Sequence, residues 1–217
     1  MKEYSAALFD MDGTLLDSMG YWHNIVAEWA ELLLGKDLPG EERSFLEHTS
    51  CSRGLQFVQD KYAALKEEKG WEGIFRLMDR HYREDVLPRP GARQLLKTLR
   101  AEGLPMGIIT GTPHALTDTA LETAGFAGYF DFILSPDEFP AGKKEPEIFR
   151  EGLRRLGEPV PEQVLFFEDQ LYSIRTAREL GLYIIALREP YAIKDEEEIR
   201  RLSDEYWESP ENFRARS

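Results

Sequence analysis

Five short apolar runs punctuate the chain, at residues 6–9, 106–109, 130–134, 164–167 and 183–187. They are nearly unbroken in apolarity, which is how strands read when both faces of their sheet are covered. Helical spacing fills the intervals. Leu95, Leu96 and Leu99 mark one helix before the second run, and Leu116, Ala120, Leu121 and Ala124 mark another after it. Ile148, Phe149, Leu153 and Leu156 suggest a third, and Ile174, Ala177 and Leu180 a fourth. Gly103, Gly125, Gly157 and Gly181 stand where these helices would end. Such alternation predicts an α/β chain with a parallel sheet and right-handed crossovers.

Residues 18–87 break the alternation and read as helices only. Trp22, Ile25, Val26, Trp29, Leu32 and Leu33 form one stripe; Leu55, Val58, Tyr62 and Leu65 a second; Ile74, Leu77, Met78 and Tyr82 a third. The expected organisation is a core of residues 1–17 and 88–217, with 18–87 as a helical cap inserted after the first strand. Pro88-Arg89-Pro90-Gly91 marks the return to the core. Trp29 and Tyr62 are expected inside a helical bundle, and Trp22 in a core position. Beyond residue 195 the chain is strongly charged. Ile199 and Leu202 suggest one more helix, Tyr206-Trp207 an edge strand, and Pro210 onward is expected to contribute little.

With 42% hydrophobic residues and twelve Phe among 217 residues, the chain can bury a core without staples. Cys51 is the sole cysteine, so an intramolecular disulfide is excluded and a reducing compartment is expected. Met1-Lys2-Glu3-Tyr4 leads directly into the first strand, and no apolar run approaches a membrane span. A cytoplasmic protein is the expectation. The net charge of −13 disfavours nucleic acid and anionic membranes as partners. It also works against a small anionic substrate, unless a metal and a lysine or two supply local positive charge.

Candidate chemistry collects at the ends of the runs. The first stops at Asp10-Met11-Asp12-Gly13-Thr14, placing two carboxylates at i, i+2 on one side of an extended segment. Two like charges closing a buried strand are unfavourable without a cation, and a hard divalent ion prefers carboxylate oxygen. An acidic N-cap for the next helix is the plainer alternative. Thr110-Gly111-Thr112-Pro113 follows the second run, Glu168-Asp169 follows the fourth, and Gly142-Lys143-Lys144-Glu145-Pro146 precedes a helix. In open parallel sheets these carboxyl-end positions converge on one site.

Asp10-Met11-Asp12-Gly13-Thr14-Leu15-Leu16-Asp17-Ser18 resembles the first motif of the haloacid dehalogenase-like superfamily. More narrowly, it resembles the branch of phosphoglycolate-phosphatase-like and beta-phosphoglucomutase-like proteins. Gly142-Lys143, with Pro146 and Phe149, resembles the third motif, and Glu168-Asp169 the fourth. The resemblance implies a Rossmann-like core with a helical cap, and Asp12 argues for phosphoryl transfer over carbon–halogen chemistry. It implies Asp10 as nucleophile and Asp12 as general acid and base. Thr110, Gly111 and Lys143 would bind phosphate, and Mg²⁺ would be held by Asp10, Asp169 and the backbone oxygen of Asp12. Glu168 would orient a metal-bound water. Three positions depart from the pattern: Lys144 replaces a proline after the motif lysine, and Gln170 and Ser173 replace a serine and a glycine.

The expected activity is therefore Mg²⁺-dependent hydrolysis of a small phosphorylated metabolite through an aspartyl-phosphate. A sugar phosphomutase and a non-catalytic binding module on the same fold are the alternatives. A monomer is expected, with a dimer left open. Ser52-Arg53 occupies the place of a phosphate-contacting arginine in the mutase-like branch, although an exposed helix charge explains Arg53 more simply. His23 is a candidate substrate contact near the hinge; His48, His81 and His114 are read as structural.

Overall fold

A computed structural model describes residues 4–213. Its strands are β1 (Ala6–Phe9), β2 (Met106–Ile109), β3 (Phe132–Leu134), β4 (Val164–Glu168), β5 (Tyr183–Leu187) and β6 (Glu205–Trp207). They form one sheet in the order β3-β2-β1-β4-β5-β6, with every pairing parallel. Helices α1 (Met19–Leu34), α2 (Gly40–Glu47), α3 (Cys51–Lys61) and α4 (Gly70–Glu84) follow β1. Helices α5 (Ala92–Ala101), α6 (His114–Ala124), α7 (Pro146–Arg155), α8 (Leu171–Glu179) and α9 (Glu196–Leu202) alternate with the later strands. This is the α/β architecture that the apolar runs predict. Among the described residues no helix is long and apolar enough to cross a membrane.

The chain divides into two compact units, Ser18–Val86 and the remainder. In the sheet-bearing unit every residue of β1, β2 and β4 is buried, which explains why those runs do not alternate. Leu8, Val164, Phe166 and Ile184 join Ile148 and Phe149 of α7 and Ile174 and Ala177 of α8 in one apolar cluster. Phe9 and Phe167 stack with ring centroids 4.5 Å apart and 3° between planes, tying β1 to β4. The two central strands are thus fixed against each other just before their carboxyl ends, where Asp10 and Glu168 follow. Gly125 closes α6 in the left-handed conformation at φ 68°, which glycine adopts without a Cβ clash.

Several expectations need correction. The run at 130–134 pairs only as Phe132–Leu134, because Ala127–Tyr129 forms a 3₁₀ turn and the Asp131 carboxylate accepts the Met106 N–H at 2.9 Å. The fourth strand extends one residue further, through Glu168. The insert holds α2 in addition to the three striped helices. Its sequence GEERSFLE is too polar to show a stripe, and only Glu42 and Leu46 are buried. Tyr62 is half-buried, because its hydroxyl donates to Glu42 at 2.6 Å instead of entering the interior. Trp22 is likewise half-buried, its indole N–H donating to Tyr82 at 3.1 Å, whereas Trp29 is buried. The segment from Pro210 is not idle up to Phe213. Pro210 is buried, and Phe213 packs 6.1 Å from Trp207.

Candidate active site

Adjacent strands deliver the acids. Asp10 continues the β1 ladder by donating its N–H to the Phe167 carbonyl at 2.9 Å, and Glu168 ends β4 beside it. Asp10 is 3% exposed, Lys143 3%, and Glu168 and Asp169 are fully buried. Lys143 arrives on the 3₁₀ turn Gly142–Lys144, immediately before α7, and its Nζ lies 2.5 Å from Asp10 Oδ1 and 2.8 Å from Glu168 Oε2. Lys144, its neighbour, is exposed. Register on a short turn separates the two lysines: one ammonium points into the acids, and the other lies 5.9 Å from the centroid of the Tyr172 ring.

Both oxygens of Glu168 are engaged. Oε2 accepts from Lys143, while Oε1 accepts the N–H groups of Asp169 and Gln170 at 3.1 and 3.0 Å. Asp169 takes the Thr14 hydroxyl on Oδ1 at 3.3 Å and the Gln170 side-chain amide on Oδ2. The glutamine that replaces the usual serine is therefore an orienting donor to the acid before it. Asp12 lies outside this cluster of acids, with Oδ2 accepting the Thr112 hydroxyl at 2.6 Å. Thr110, at the end of β2, is fully buried and its Oγ1 accepts the Thr112 N–H at 3.1 Å. Gly111 is exposed, and nothing lies within 4 Å of where a Cβ would stand.

The electrostatics are unbalanced. Asp10, Glu168 and Asp169 can each direct one oxygen into a region where these atoms lie within 4.8 Å of one another. Three carboxylates face a single ammonium. Burial, helped by the charges of Glu168 and Asp12, pushes the Asp10 carboxyl up to about 7 against the downward pull of Lys143. Burial also raises Asp169 well above the carboxylate range, and the charges of Glu168 and Asp10 add to it. Burial alone would lower Lys143, but the carboxylates of Asp10 and Glu168 hold its ammonium firmly protonated. Asp10 Oδ2 is buried and has no hydrogen-bond partner. An orphaned carboxylate oxygen among excess buried negative charge fits a hard divalent cation, which takes oxygen ligands and supplies the missing positive charge.

The side chains singled out in the sequence thus fall into two groups. Asp10, Lys143 and Asp169, with Glu168, form the buried charged cluster; Asp12 and Thr110 are joined through Thr112, which the sequence reading did not single out. Thr14 and Gln170 were also missed. The only trace in the sequence is a hydroxyl or amide one to four residues from a motif acid or threonine. In the helical unit, His23 Nδ1 pairs with the Glu47 carbonyl at 2.7 Å. Arg53 is exposed beside the Phe45 ring. His81 is buried between Glu28 and Asp85, 2.7 Å from each.

Residues 4–181 match the family model described as haloacid dehalogenase-like hydrolase. The validoxylamine A 7'-phosphate phosphatase of Streptomyces hygroscopicus subsp. limoneus is 27% identical over 187 residues, 85% of each chain. The phosphoglycolate phosphatase of Salmonella typhimurium is 28% identical over 215 residues, covering 88% of this chain and 84% of that one. Among solved structures, the beta-phosphoglucomutase of Clostridium difficile superposes with a TM-score of 0.69 at 20% identity, over 97% of this chain and 93% of that one.

Proposed function

The chain belongs to the haloacid dehalogenase-like hydrolases, and from that premise we propose that it is a phosphatase cleaving the monoester of a small phosphorylated metabolite. The observation that carries this reading is the placement of Lys143 between the strand-tip acids Asp10 and Glu168, beside a carboxylate oxygen that has no partner. Phosphoryl transfer needs an in-line nucleophile, neutralised equatorial oxygens and a proton for the leaving group. Asp10 is assigned as nucleophile: its carboxylate oxygen bonds to phosphorus as the ester P–O bond breaks, giving an aspartyl-phosphate. Asp12 gives its proton to the departing alkoxide. It then takes one from the water whose oxygen attacks phosphorus, releasing inorganic phosphate and regenerating Asp10.

Thr110 Oγ1, the Gly111 N–H and Lys143 Nζ are assigned to the phosphate oxygens. Asp10, Asp169 and the Asp12 carbonyl would hold Mg²⁺, which when bound neutralises charge on the phosphoryl group and on the acids around it. Glu168, expected from the motif to orient a metal-bound water, has both oxygens engaged by Lys143 and two backbone N–H groups, and is assigned instead to keeping the ammonium aimed at Asp10. Residues Ser18–Val86 are proposed to serve as a specificity cap. The absence of a second cysteine to pair with Cys51 suits action in the cytoplasm.

The test is a screen of phosphorylated metabolites for phosphate release with Mg²⁺, run beside Asp10→Asn. The expected result is release by the wild-type protein and none above background by the variant. Conversion of one sugar phosphate into its isomer without net release would replace hydrolase by mutase. Full activity of Asp10→Asn would remove the nucleophile assignment.

A further inference from the structure

Thr112 joins the two halves of the proposed chemistry, and we infer that it is a positioning residue which holds the acid/base carboxylate of Asp12 and turns the Thr110 hydroxyl toward the substrate. The inference rests on the phosphatase reading above and goes beyond it by assigning a residue given no role there. Thr112 is 4% exposed, and each of its polar groups has a partner. Its hydroxyl donates to Asp12 Oδ2 at 2.6 Å. Its N–H donates to Thr110 Oγ1 at 3.1 Å. Its carbonyl accepts the buried Thr117 hydroxyl from α6 at 3.2 Å. The residue is therefore pinned to a helix at one end and grips two separate strand ends at the other.

The directions of these bonds matter more than their number. A hydroxyl has one proton and two lone pairs. Because the Thr112 N–H occupies a lone pair of Thr110 Oγ1, the Thr110 proton is left to point elsewhere, as a donor. A phosphate oxygen is an acceptor and needs that donor. Similarly, the Thr112 proton fixes one Asp12 oxygen and so sets the rotamer of the side chain that must reach the leaving group. A carboxylate held in place loses less rotational freedom when the reaction begins. Valine at 112 would keep the branched shape and the backbone N–H but delete the grip on Asp12. Serine would keep the grip.

Leaving-group dependence separates positioning from mere support. A p-nitrophenolate departs with little help, whereas an alkoxide departs only if it is protonated, so a misplaced acid harms alkyl esters selectively. The experiment measures kcat/KM, which reports the first phosphoryl transfer, for p-nitrophenyl phosphate and for the alkyl phosphomonoester that the wild-type protein hydrolyses fastest. Thr112→Val is expected to lower the alkyl value about tenfold and the p-nitrophenyl value less than about threefold, with Thr112→Ser restoring both. Equal losses on the two substrates, no loss, or failure of serine to restore the ratio would overturn the inference. If the valine variant does not fold, Thr112→Ala against Thr112→Ser gives the same comparison, with the same outcomes. Asp10→Asn run in parallel separates the two claims. An inactive asparagine variant beside an unaffected Thr112→Val sinks the inference alone, whereas an active one sinks the phosphatase mechanism and the inference with it.

Discussion

Lys143 shows most clearly what one residue does here. Its ammonium bonds to Asp10 and Glu168 at 2.5 and 2.8 Å, and all three groups are buried. Deleting one partner of a buried ion pair leaves uncompensated charge and commonly costs about 3–5 kcal/mol. Lys143→Met in the absence of metal should therefore lower the unfolding free energy by about that amount, as read by urea titration. A change under about 1 kcal/mol would show that the buried acids do not depend on the ammonium for stability. The charged residues of this site were legible in the sequence because acids ending an apolar run are physically anomalous. Thr112 and Thr14 were not, since their partners lie 100 and 155 residues away and a hydroxyl beside a motif acid is commonplace. Which lysine of Lys143-Lys144 turns inward was read from motif register, not from side-chain physics. Only the turn geometry distinguishes the two.

At the scale of elements, strands and glycine-closed helices announced themselves through apolarity and spacing, and the parallel sheet followed. What escaped was structure held by contacts instead of pattern. Helix α2 shows no stripe, and the segment after β6 looks dispensable until its packing against α5 is seen. Gly91 precedes α5 at φ 81°, and a Cβ there would meet the Glu211 backbone nitrogen at 2.4 Å. Gly91→Ala thus combines a left-handed backbone with a collision against main chain that cannot swing aside. It should destabilise the protein by about 2 kcal/mol or more, seen as a lower thermal midpoint. An unchanged midpoint would show that the Pro210–Asn212 turn moves away at no cost. The same turn holds Pro210 against the sheet-bearing unit, so tail residues that composition marks as solvated are part of its packing.

For the molecule as a whole, a net charge of −13 and a buried excess of acid place the protein in need of cations. The pH dependence of the metal-free protein follows from Asp10. Its carboxyl rises from 3.8 to about 7 on folding, so the folded state retains a proton that the unfolded state releases. The associated stability is fully present below 3.8 and is lost as pH rises toward and through about 7. In EDTA, wild type should lose stability relative to Asp10→Asn across that window and run parallel to it above pH 8. A constant gap throughout would contradict the burial argument. Adding Mg²⁺ at pH 8 should raise the wild-type unfolding free energy by about 2.7 kcal/mol at a hundredfold excess over the dissociation constant.

Everything proposed for this site turns on covalent phosphorylation of Asp10. Rapid acid quench of the wild-type protein with a ³²P-labelled phosphomonoester and Mg²⁺, followed by peptide mapping, tests it most directly. Label on the peptide containing Asp10, stable to acid, released by hydroxylamine and absent with EDTA, is the predicted result. Turnover with no label on protein, or label on a peptide lacking Asp10, would rule out a phosphoenzyme at Asp10.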